Sequence, residues 1–246
     1  MSLSIQMLGT GSAFAKRHFN TNALLFQNDN RILVDCGYTA TFSLHQLQIP
    51  LHEINGIIIT HLHADHIGGL EEIDFRMKYV FKQKISLYVP ETLVSPLWEH
   101  ALKAGLMNER DGFISLQDYF DVVPLNEGNT SRITDYLRLE LIKTEHVPGK
   151  PNFSLLINDS FFYSADMKFN RGLLLRLHRE RGLKTIFHDC QLEPPAIIHT
   201  SLEELLTLPE NIQSVTWLMH YEDRVGEYVG KSGKMRFLQQ HQLLHI

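Results

Sequence analysis

The stretch Thr60-His61-Leu62-His63-Ala64-Asp65-His66-Ile67-Gly68-Gly69 places three imidazoles and one carboxylate within six consecutive residues. His61 and His63 are two apart, the spacing at which extended or tightly turned backbone brings both rings to one ion. Asp65 and His66 are adjacent and diverge, which suits a second ion beside the first. Imidazole mixed with carboxylate fits Zn, Mn, Fe, Co or Ni better than Ca. A solvated polar turn would not require this order of residues directly after the apolar run Ile57-Ile58-Ile59-Thr60.

The elements that must hold such a cluster follow from periodicity. Ser4–Gly9, Ala23–Gln27 and Arg31–Asp35 read as strands, separated by Gly, Asn and Asp turn chemistry. A helix over about Thr39–Leu47 precedes the β-branched strand Gly56–Thr60, and Leu70–Phe81 repeats apolar residues at helical spacing. Ile85–Val89 returns to strand, and Pro90 opens a helix running to about Gly105. Tyr136–Thr144, Ser154–Ile157 and Phe161–Ser164 read as strands. A helix at Arg171–Gly182 leads to the strand Thr185–His188, and the helix–strand pair Leu202–Leu208 and Val215–Met219 follows. Strands first and helix–strand alternation afterwards predict an α/β layered domain. With no internal repeat, low-complexity stretch or linker, residues 1–246 read as a single domain.

Composition narrows the partners. The chain has 246 residues and net charge −5, which argues against a stable nucleic-acid partner, whose grip would come from neutralised phosphates. Hydrophobic residues at 43% and charged residues at 21% give an ordinary globular balance. No apolar run approaches the roughly 18 residues of a membrane span, and the N-terminus lacks a signal-peptide pattern, so a cytoplasmic location without membrane contact is expected. Cys36 and Cys190 allow at most one disulfide.

Thr-His-Xaa-His-Xaa-Asp-His after an apolar strand resembles the signature of the metallo-β-lactamase fold, and Leu33-Val34-Asp35-Cys36-Gly37 resembles that family's upstream motif. The resemblance implies an αββα sandwich and further ligands at His146 in Lys143-Thr144-Glu145-His146, Asp166 in Tyr163-Ser164-Ala165-Asp166, and His220 in Leu218-Met219-His220. It implies two divalent ions, Zn2+ first and Mn2+ second. His61, His63 and His146 would hold one, Asp65, His66 and His220 the other, and Asp166 would bridge. Asp35 reads equally as a support for a ligand histidine and as a turn residue.

Leu8-Gly9-Thr10-Gly11-Ser12 and His188-Asp189 are similar to the tRNA 3′-processing endonuclease (tRNase Z) branch. That likeness implies catalytic roles for Asp65, aiming the nucleophile, and for His188, protonating the leaving oxygen with Asp189 orienting it. His199 resembles a phosphate-contacting histidine, although helix capping by Thr200 or Ser201 accounts for the same pattern. The branch grips tRNA with a long arm between the third-motif histidine and the bridging aspartate. Here Asp166 lies only twenty positions after His146, which leaves no room for it. The chain more closely resembles the compact anti-Pycsar phosphodiesterases, on the words Gly11-Ser12-Ala13-Phe14-Ala15-Lys16 and Asn20-Thr21-Asn22-Ala23. That resemblance implies a homodimer opening 3′,5′-cyclic nucleotides such as cCMP, cUMP, cAMP and cGMP to 5′-monophosphates, against antiphage signalling. tRNA 3′ processing is the alternative.

Overall fold

The computed structural model describes residues 3–246. The chain opens with the strands β1 (Ser4–Gly9), β2 (Asn22–Gln27) and β3 (Asn30–Val34), then helix α1 (Ala40–Gln46) and strand β4 (Gly56–Ile58). Helices α2 (Ala64–Ile67) and α3 (Leu70–Phe75) follow, α3 running on through π-helical turns at Arg76–Phe81 towards β5 (Ser86–Pro90). Helices α4 (Glu91–Leu97) and α5 (Lys103–Leu106) lead to β6 (Asp121–Leu125). The second half comprises β7 (Thr130–Arg132), β8 (Arg138–Lys143), β9 (Phe153–Ile157), β10 (Phe161–Tyr163), α6 (Arg171–Arg181) and β11 (Thr185–Asp189). It closes with α7 (Leu202–Leu206), α8 (Glu210–Gln213), β12 (Thr216–Met219), β13 (Arg236–Phe237) and β14 (Leu243–His245).

These strands form two seven-stranded sheets, ordered β14-β1-β2-β3-β4-β5-β6 and β13-β12-β11-β10-β9-β8-β7. Read from β14 and from β7, each sheet makes three antiparallel pairings and then three parallel ones. The C-terminal β14 thus fills in the first sheet the place that β7 fills in the second. The backbone repeats although the sequence does not.

Side-chain alternation with a period of two decides what each sheet buries. Phe153, Leu155 and Ile157 of β9, Phe161 and Tyr163 of β10, and Phe187 of β11 face a core shared with Ile5, Met7, Leu33 and Ile57 of the first sheet. Their alternates Leu156, Phe162, Ile186 and Leu218 face outwards onto Leu173, Leu174 and Leu177 of α6 and Leu202 and Leu205 of α7. On the first sheet, α1, α3 and α4 contribute Leu44, Leu70, Ile73, Leu93 and Leu97 to the buried cluster. The result is the expected αββα layering.

The sequence reading departs from the structure at ends and edges. The strand expected through Thr60 stops at Ile58, because the Thr60 N–H turns aside to the Asp35 carboxylate. Edge strands β7, β13 and β14 are short and partly exposed, so they carry no apolar alternation to read. Cys36 and Cys190 are both buried and unbridged. No helix of the described residues is long and apolar enough to cross a membrane.

Candidate functional site

Asp35 follows β3 in the left-handed region, at φ 61°, an uncommon conformation for a side chain other than glycine. Its carboxylate accepts from Thr60 N at 2.9 Å, Thr60 Oγ1 at 2.8 Å and His66 Nδ1 at 2.8 Å. Of the two roles expected for Asp35, the contacts favour support of His66, and the last of them leaves His66 Nε2 facing the cluster. The adjoining backbone grips the same loop: Cys36 N donates to His66 O at 2.7 Å, and Gly69 N to Cys36 O at 2.8 Å. Gly37 must be glycine, since a Cβ there would stand 1.9 Å from the Asp65 carbonyl oxygen. Asn22 completes the clamp, accepting from Gly37 N at 2.6 Å and donating to Asp65 O at 3.1 Å.

The second half delivers its residues from the carboxyl ends of strands, where sites on open α/β sheets characteristically form. His146 lies shortly after β8. Asp166 follows β10 through Ala165 at φ 50°, and His220 directly follows β12 at φ 59°. Such backbone persists where surrounding structure over-determines it, commonly at functional sites.

The expected ligands form two donor groups, each with its ligand atoms within 4.8 Å of one another: His61, His63, His146 and Asp166, and Asp65, His66, Asp166 and His220; Asp189, His199 and His220 make a third such group beside them. Asp166 belongs to both. Its Oδ2 stands 3.6 Å from His61 Nε2 and from His146 Nε2 and 3.5 Å from His66 Nε2, while its Oδ1 is 3.3 Å from His220 Nε2. Asp65 Oδ2 is 3.2 Å from His66 Nε2 and 3.3 Å from His220 Nε2.

Several features fit this set to divalent cations. His61 Nε2 and His146 Nε2 converge on His63 Nδ1 at 3.1 and 3.3 Å, so ring nitrogens face one another rather than separate acceptors. His66 Nε2 and Asp166 Oδ1 are buried without a hydrogen bond. His146 donates its other nitrogen, Nδ1, to the Ile198 carbonyl at 2.7 Å, which fixes the tautomer with Nε2 free to ligate. Burial, and then the nearby His66, hold His61 well below the usual imidazole range, leaving a free lone pair. For His220, burial is outweighed by Asp166 and Asp65, and its pKa is pushed up to about 9. Burial would raise Asp166 too, but His220 and His66 hold it well below the ordinary carboxylate range.

All seven expected ligands therefore meet. The expected acid does not join them. His188 is fully buried, and its Nδ1 contacts Asp189, donating to the backbone carbonyl at 2.8 Å with the carboxylate 3.2 Å away. The reason is strand alternation: Phe187 faces the inter-sheet core, so His188 turns to the outer face with Ile186, and Asp189 shares the inner face. His199 takes the place at the cluster. Its ring centroid lies 4.7 Å from His146 and 4.8 Å from His220, stacked on the latter, and its Nδ1 donates to Asp189 Oδ2 at 3.0 Å. Burial raises the Asp189 carboxyl, but hydrogen bonds from His188 and His199 outweigh it and hold it below the usual range. The sequence reading names Asp189 and His199 separately, as an orienting group and a phosphate contact, and not their pairing, although the inward position of Phe187 marks Asp189 as the residue facing the site.

The fold and the paired donor groups define a protein of the metallo-β-lactamase fold class. A structure of that class, the protein YhfI from Bacillus subtilis, superposes with a TM-score of 0.79 at 14% identity over 100% of both chains. Human tRNase Z, short form, superposes at 0.68 with 17% identity, covering 98% of each chain. A family model described as Anti-Pycsar protein Apyc1 matches residues 3–244. The chain is 52% identical to the Anti-Pycsar protein Apyc1 of Paenibacillus xerothermodurans over 98% of its own length and 96% of that relative. The chain belongs to the Anti-Pycsar Apyc1 family.

Proposed function

We propose that this chain, acting as one domain, is a metal-dependent phosphodiesterase that opens 3′,5′-cyclic nucleotides to nucleoside 5′-monophosphates. It would thereby counteract cyclic-nucleotide antiphage signalling in the bacterial cytoplasm. The observation that carries this reading is the Asp189–His199 pair set against two donor groups that share Asp166. His61, His63, His146 and Asp166 would hold one divalent ion, and Asp65, His66, Asp166 and His220 the other, with Zn2+ or Mn2+ suited to the donors. When bound, such ions neutralise charge on the phosphate and lower the pKa of water.

The chain's own residues supply the rest. Asp65, buried between His66 and His220, would aim the attacking water at phosphorus. As the new P–O bond forms, the P–O3′ bond breaks, and the Nε2–H of His199 would deliver the proton that O3′ needs. The hydrogen bond to Asp189 fixes which nitrogen faces the substrate and steadies the charged ring. This assignment replaces His188 with His199 in the acid role and makes Asp189 its positioning residue.

A small diester is favoured because the His146–Asp166 interval is consumed by a turn, with Lys150 N donating to Val147 O at 3.1 Å, and by the β9–β10 hairpin. No arm for a large RNA projects there. The active form on this reading would be a homodimer, and light scattering that returns a monomer at micromolar concentration would defeat that part of it. A panel of cCMP, cUMP, cAMP and cGMP, run beside a precursor tRNA with a 3′ trailer, tests the reaction. Production of 5′-monophosphates supports it. Cleavage of the tRNA with no turnover of any cyclic nucleotide replaces it with tRNA processing.

A further inference from the structure

Cavities lined by different members of the donor cluster open beside it. One, of about 350 Å³, is lined by His61, His63 and His146 together with Leu93 and Pro96. The other, of about 680 Å³, is lined by His199 and His220, and by Phe14 and Ile197. Since His199 lines the larger cavity, its proton is delivered there, and the sugar that receives it must lie there too. The base attached to that sugar then falls within reach of the same walls.

At 87% exposure, Phe14 is the most exposed large apolar side chain among the described residues, and Ile197 is 68% exposed. A phenylalanine left in water forgoes the favourable burial of its ring. Yet this one is not on a frayed loop. Ser12 N donates to Tyr221 O at 3.0 Å and Ala15 N to Ser12 O at 3.2 Å, closing a turn around Phe14. The Tyr38 hydroxyl donates to Ala13 O at 2.7 Å, and the Asp223 carboxylate accepts from Lys16 N at 2.9 Å and Arg17 N at 2.8 Å. Five hydrogen bonds hold the backbone on both sides of an aromatic ring that packs on little of its own chain. Such a ring is preorganised for a flat partner.

Several polar side chains of this cavity are meanwhile engaged with the chain itself. Gln191 Nε2 donates to the carbonyls of Glu193 at 2.5 Å and Pro195 at 2.9 Å. Glu222 accepts from Leu192 N at 2.8 Å, and Arg224 Nε donates to Glu227 at 2.9 Å. We propose that Phe14, which lines this cavity together with His199, is the stacking platform for the nucleobase. On this account binding strength comes from the base's ring face, and its hydrogen-bonding edge is left largely unread. The proposal rests on the cyclic-nucleotide reading for its ligand class and adds the residue that recognises the nucleoside.

The test is calorimetry on metal-loaded protein with CMP, AMP and ribose 5-phosphate, the last carrying the sugar phosphate without a base. Wild type is expected to bind both nucleotides more tightly than ribose 5-phosphate, with CMP and AMP within about tenfold of each other. Base–aromatic stacking is worth about 1–3 kcal/mol, so Phe14→Ala should raise the Kd of CMP and AMP by about 5- to 140-fold. The same variant should leave ribose 5-phosphate within about twofold, the spread of an unperturbed contact. Phe14→Trp should retain tight nucleotide binding, and Val229→Ala, an exposed apolar residue outside the cavity lining, should change none of the three. Equal weakening of all three ligands, no weakening, or weakening seen only with a change in molar mass by light scattering overturns the platform. Turnover of cyclic nucleotides is read separately, so failure of the reaction and failure of the platform give different results.

Discussion

Replacing His199 with alanine removes the side chain that stacks on His220 and is held by Asp189, without deleting any of the seven clustered donors. If His199 protonates the departing ribose oxygen, the loss should follow leaving-group basicity. A positioned general acid contributes roughly 10²–10⁴ in rate, equivalent to about 3–5 kcal/mol of barrier. That whole loss is expected in kcat on a cyclic nucleotide, whose alkoxide is a poor leaving group. On a p-nitrophenyl phosphodiester, whose leaving group departs without a proton, the loss should stay within a few-fold. The comparison variant is His188→Asn, which keeps a side-chain donor near the Nδ1 position that meets the Asp189 backbone carbonyl at 2.8 Å. It should leave the ratio of the two rates unchanged, because His188 lies on the outer face of β11. Equal losses on both substrates for His199→Ala, or a substrate-selective loss for His188→Asn, would refute the assignment drawn from strand alternation.

Asp35→Ala removes the acceptor of the His66 Nδ1–H and should weaken divalent-ion affinity by about 10- to 100-fold, read by equilibrium dialysis. Chelation should lower Tm, and elemental analysis of the reloaded protein should return two ions per chain; one ion would sink the sharing of Asp166. Asp74 of α3 is buried with both carboxylate oxygens unpartnered, and burial, with Glu71 nearby, pushes its pKa well above the usual carboxylate range. The folded chain therefore binds a proton that the unfolded chain releases, and stability falls as pH rises from the unfolded towards the folded value. Asp74→Asn abolishes that term, so its Tm relative to wild type should rise between about pH 5 and about pH 8. A flat or falling difference would contradict the buried, protonated carboxyl.

What could be read in sequence was what is local or closes an apolar run. His61, His63, Asp65 and His66 fall within six residues, so residue type and spacing mark them, whereas His220, directly after the strand Thr216–Met219, is marked by the family resemblance. Asp166 follows Phe161–Tyr163 in the same way. The identity of the acid is harder to read, because adjacent residues on a strand face opposite layers, and a His-Asp pair does not itself show which member faces inwards. His199 is marked by its likeness to a phosphate-contacting histidine, but its place over Asp189 depends on a return of the chain that local pattern does not show. The chain leaves β11 at Asp189, makes an excursion, and returns: Gln191 N donates to Thr200 O at 2.7 Å, and Leu202 N to Gln191 O at 3.1 Å. These pairings carry His199 back over the carboxylate it left ten residues earlier. Ser201 then starts α7 with a capping box to Glu204, so the helix cap and the return loop share one hinge. The capping explanation and the site explanation of the His-Thr-Ser pattern are therefore compatible, because the cap that begins the helix also fixes where His199 stands.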